Sequence, residues 1–113
     1  MYRYRRTPQT IRLAPELLAT IRNEANAFEH HYGRKPTGND PVFFDPYASG
    51  VQPLAGGCLN LYLDELARRT GLMPAKIYAH HKLYRQIRNH YDPRLWSEAL
   101  SEYESLSRTY KKM

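Results

Sequence analysis

Cysteine is almost missing from this chain: of 113 residues only Cys58 carries a thiol, so no internal disulfide can form. That suits a reducing compartment, and a lone cysteine reads first as a small buried apolar side chain. As a nucleophile it would need a base held beside it, and spacing supplies none. There is no run of the roughly 20 apolar residues that a membrane helix requires. The opening Met1-Tyr2-Arg3-Tyr4-Arg5-Arg6 is basic with no apolar stretch behind it, unlike a secretory leader. Also missing are a strand pattern of period two, an internal repeat, a phosphate-cradling glycine loop, paired-carboxylate spacing and a nucleophile motif. The five histidines fall as His30-His31, His80-His81 and His90. Helical neighbours point about 100° apart and are not the chelating i,i+4 pair, so neither a metal nor a cofactor is expected. These gaps predict a non-enzymatic protein of a bacterial-type cytoplasm that binds a macromolecule, with no membrane and no small-molecule substrate as partner.

Acidic residues are missing from two stretches, and these account for the net charge of +6. Residues 1–12 hold Arg3, Arg5, Arg6 and Arg12 without an acid, and residues 71–91 hold Lys76, Lys82, Arg85 and Arg88 without one. Elsewhere acids balance or exceed bases. Clustered cations are the electrostatic footprint of a phosphate-bearing partner, although a solvated helix face reads the same way.

What is present is helical. Leu17, Leu18, Ile21, Ala25, Phe28 and Tyr32 recur at three- and four-residue steps behind Pro15, and Gly33 ends the stripe. From 33 to 56 the pattern stops among Pro36, Pro41, Pro46 and Pro53, yet Val42, Phe43, Phe44 and Tyr47 lie in the middle. Either these aromatics pin the loop over the core, which is the preferred reading, or they form a partner-binding arm. A second helix spans about 57–70, with Leu59, Tyr62, Leu63, Leu66 and Ala67 on one side. A third spans about 74–90. A fourth starts at Asp92-Pro93, an N-cap acceptor followed by proline, with Tyr91 and Trp96 as a hydrophobic staple. Its stripe of Trp96, Leu100, Tyr103, Leu106 and Tyr110 is long enough to extend into a dimer seam. The expected fold is all-α: a single domain over 13–113, a small bundle of about four helices with the long loop at 33–56, behind a flexible basic arm at 1–12.

The segment 63–82 has the spacing of a helix-turn-helix: Ala67 where two helices cross, Gly71 at the turn, and Leu66, Leu72 and Ile77 to lock the second helix. Its Leu66-Ala67 to Gly71-Leu72 run and its Ile77-Tyr78-Ala79-His80 resemble the DNA-reading unit of bacterial helix-turn-helix regulators of the tetracycline-repressor type. The resemblance covers about twenty residues. It implies that Ala75, Lys76, Tyr78, Ala79 and Lys82 face DNA.

Projection of the third helix puts Ile77, His80, Tyr84, Ile87 and Tyr91 on an inward face. Tyr78, Lys82, Arg85 and Asn89 fall on the other, flanked by Ala75, Ala79 and Gln86. The expectation is a small transcriptional regulator that binds duplex DNA as a homodimer, with Arg3, Arg5 and Arg6 following the backbone. With no sensor domain, it should answer to abundance or partners and not to a small ligand. The alternative is a helical anti-activator or adaptor that binds another transcription factor and blocks it through Phe43, Phe44, Tyr47, Tyr103 and Tyr110.

Overall fold

The structure, a computed structural model, describes residues 14–87 and 92–108. Arg3, Arg5, Arg6, Asn89, Tyr91 and Tyr110 lie outside the described residues, as do the side chains of Gln86 and Ile87. Four helices follow in order: α1 (Pro15–Tyr32), α2 (Gly56–Thr70), α3 (Pro74–Ile87) and α4 (Pro93–Arg108). An all-α bundle is thus what the chain forms.

Local chemistry explains the helix ends. Pro15 opens α1, where a missing N–H costs nothing. Gly33 and Gly71 close α1 and α2 at φ of 76° and 77°, a left-handed conformation that a Cβ would strain. Their N–H groups donate to the Glu29 and Ala67 carbonyls at 2.8 Å. At the fourth start, Asp92 Oδ1 accepts from the Arg94 N–H at 3.0 Å, the capping bond read from Asp92-Pro93.

The main core joins every element. Leu17 and Ile21 of α1, Leu59, Leu63 and Leu66 of α2, and Ile77 and Tyr78 of α3 meet Val42 and Phe43 of the loop, with Tyr103 and Leu106 of α4 against them. A smaller cluster of Ala79, Leu83 and Ala99 is flanked by Leu95, Trp96 and Leu100. Burying one such Leu or Phe side chain is worth about 1.5–3 kcal/mol.

Two polar pairs, one buried and one part-buried, bind α1 into this core. Thr20 Oγ1 donates to the Leu17 carbonyl at 2.8 Å and lies 2.9 Å from His81 Nε2. With the hydroxyl proton committed to Leu17, Nε2–H of His81 is the donor. Burial then holds the His81 ring neutral, its pKa pushed down to about 3 with the Arg85 charge adding to the effect. In the second pair Tyr62 Oη donates to Glu24 Oε1 at 3.0 Å. Burial raises the Glu24 pKa against the lowering pull of that bond.

Candidate functional site

The glycine corner between α2 and α3 forms where the spacing put it. Leu66 and Ile77 are buried, and Leu72 and Ala67 pack half-buried against the same core. Thr70 Oγ1 accepts from the Leu72 N–H and donates to the Leu66 carbonyl, which tightens the turn. The face of α3 expected to read DNA is nevertheless inside. Tyr78 is 1% exposed and Ala79 is fully buried. Tyr78 Oη donates to Glu102 Oε2 at 2.9 Å, and Lys82 Nζ pairs with Glu102 Oε1, so α4 covers that side. Arg85 bends the other way: Nη1 donates to the Pro41 carbonyl at 2.6 Å and Nη2 to that of Val42 at 3.3 Å.

Of the expected DNA-facing set, only Lys76 stands exposed among the described residues, with Ala75 half-buried beside it. The physical reason is position. Helix α3 is central, with α1, α2 and α4 all packed on it, so Ile77, Tyr78, Ala79, His81 and Leu83 are buried right round the helix. A two-sided projection presumes solvent on one side, and α3 has little. His80 and Tyr84, expected inward, are only half-buried, and the His80 ring lies edge-on to Trp96 at 4.8 Å.

The loop divides its aromatics between two tasks. Phe43 and Phe44 are buried and so correct the expectation that both contact a partner. The Phe43 ring packs 4.7 Å from His81, 5.5 Å from Tyr62 and 5.8 Å from Tyr78. The Phe44 ring sits 5.6 Å from Phe28 and 5.4 Å from Tyr32. Tyr103, the other expected contact, is turned to the chain's own core, 5.7 Å from Tyr78. The loop is therefore pinned, as preferred.

Above that root stands a short hairpin. The Leu54 N–H donates to the Phe43 carbonyl and the Asp45 N–H to that of Gln52, both at 2.8 Å, around an antiparallel bridge between Phe44 and Pro53. At the tip Asp45 Oδ1 accepts from the Tyr47 N–H at 2.9 Å, a turn closed by an aspartate side chain. Tyr32 Oη reaches the Gly50 carbonyl at 3.3 Å and ties the tip to the end of α1. This frame presents Tyr47 almost wholly to solvent, 95% exposed, and Val51 of the same loop is exposed too. The site is a tyrosine knob on a hydrogen-bonded stalk.

Sequence reasoning placed Tyr47 in the interface set but missed the stalk, Val51 and the pairing of Glu102 with Tyr78 and Lys82, and Cys58, expected to be buried, is exposed. Only the run Phe43-Phe44-Asp45-Pro46-Tyr47, apolar root then turn residues, signals the division. Among the described residues no group of three or more His, Cys, Asp or Glu could hold a metal ion, and no helix is long and apolar enough to cross a membrane. Set against known families, curated proteins and solved structures, this chain matches none of them.

Proposed function

We propose that this chain is a non-enzymatic adaptor that binds another protein, a regulator in the alternative reading of its sequence, by inserting Tyr47 into a pocket of that partner. The single observation that carries the reading is the knob itself. A large aromatic ring stands in water, although the same loop buries the rings of Phe43 and Phe44. Tyrosine gives up little rotamer entropy on docking, and tyrosines in well-packed pockets are enriched among the residues that dominate interface energy. The hydrogen-bonded stalk has already met the ordering cost of the loop, which favours affinity.

A second reading, duplex DNA as the partner, draws support from the glycine corner and from Lys76, exposed on the first turn of α3. Against it stands the Tyr78–Lys82–Glu102 cluster, which closes the next turn of that helix.

One experiment separates the two: a photo-crosslinking amino acid placed at position 47 or at position 76, in cells that express the chain. Adaptor binding gives a discrete protein adduct from position 47, and Tyr47→Ala abolishes the complex while shifting stability by no more than about 0.5 kcal/mol. A DNA adduct from position 76 with none from position 47, together with DNA binding by the purified chain that weakens steeply with salt, reverses the order of the two readings.

A further inference from the structure

Helices α1 and α3 and the start of the loop leave a cleft of about 350 Å³, a volume at the small end of the range that organic ligands occupy. Its wall carries three cations, Arg22, Lys35 and Arg85, against one acid, Glu29. Part of that excess is answered from within, since Arg85 feels the charge of the buried Glu24, whereas Arg22 and Lys35 are less compensated. The Lys35–Glu29 pair is loose at 3.8 Å and both side chains are exposed, so it holds Lys35 weakly. Asp40, the acid of the adjoining turn, also attracts Arg85 but is held first by Arg34, which grips both its oxygens at 2.9 and 3.0 Å, and by the Thr37 N–H, which donates to it at 2.7 Å. No described carboxylate pairs with Arg22. Arg85 spends two donors on the loop carbonyls, and a guanidinium has five. Ile21, Ala25 and Pro36 add apolar lining to the same cleft.

We propose that the cleft binds a small carboxylate with a compact apolar body, its charge between Arg22, Lys35 and Arg85 and its body against Ile21, Ala25 and Pro36. Such a site departs from the expectation that the chain answers to no small ligand. It is independent of the Tyr47 knob. A carboxylate matches the planar donor fork of an arginine, and the half-buried position of Arg85 strengthens the attraction relative to open water.

The test is titration of the whole chain with benzoate, followed by amide NMR shifts, with benzamide as the neutral isostere and inorganic phosphate as an anion without an apolar body. Benzoate should saturate and move the amides of Ala25, Asn26 and Arg85, while benzamide and phosphate bind at least about tenfold more weakly. Arg22→Gln with Lys35→Gln, two exposed positions whose exchange leaves the fold intact, should weaken benzoate about tenfold. Ala25→Phe, which fills the cleft, should abolish binding, and Tyr47→Ala should leave it unchanged. Equal affinity for benzamide or phosphate, unchanged affinity in the double variant, or no saturation below about 10 mM overturns the proposal.

Discussion

His81 is a base that folding forbids to ionise. Its pKa is pushed down to about 3 in the folded chain, against about 6.5 unfolded. Between those values the unfolded state binds the extra proton, so stability is intact above about pH 6.5 and falls as the pH drops toward 3. By pH 5 the loss is about 2 kcal/mol. Burial lowers the pKa of His80 too, which acts in the same direction. Glu24 opposes both: its raised pKa lets the folded chain take up a proton before the unfolded chain does, so it adds stability as pH falls toward 4.5. Urea titrations at pH 7 and pH 5 on the wild type and on His81→Gln isolate the histidine. The variant starts less stable and loses less between the two pH values; parallel losses would refute the assignment.

At the scale of elements, α3 is held by charge on one side and by the loop on the other. Glu102 of α4 accepts from Tyr78 and pairs with Lys82, and burial together with the Glu102 charge pushes the Tyr78 phenol above its ordinary range. Lys82→Glu places a carboxylate against Glu102 and should cost about 1–2 kcal/mol, whereas Lys82→Met keeps the apolar stem and should cost under about 1 kcal/mol. Urea midpoints distinguish the two, and equal midpoints would mean that Lys82 points into solvent after all. The same contact explains why a basic, acid-free helix need not be a nucleic-acid surface. Two of its cations, Lys82 and Arg85, bind its own neighbours.

For the whole molecule, the loop belongs to the core. Phe43 touches side chains of α2 and α3, and the Phe44 ring lies against α1. Arg85 fixes the backbone carbonyls just before them. Removing the ring in Phe43→Ala should therefore destabilise the entire chain by about 3–5 kcal/mol, a large part of the 5–15 kcal/mol typical of a domain. Tyrosine fluorescence and helical circular dichroism should still change together in urea. If the helices survive while the loop alone opens, the loop is a separate unit and Tyr47 loses its rigid stalk.

The sequence alone determined where the helices lie, because their signals act within a few residues. Pro15 and Asp92-Pro93 suit first turns, Gly33 and Gly71 suit left-handed caps, and Leu17, Ile21 and Phe28 or Leu59, Leu63 and Leu66 recur at the helical period. It also placed aromatic anchors in the loop, with Tyr47 among them. Only the tertiary structure decided which of those aromatics stays outside, and that α3 is surrounded rather than open on its basic side. It alone brought Thr20 to His81 across 61 positions and Arg85 to Pro41 across 44, and so left three cations around the cleft. The physical reason is range: a cap depends on its own backbone angles, whereas burial depends on which distant segment arrives to exclude water.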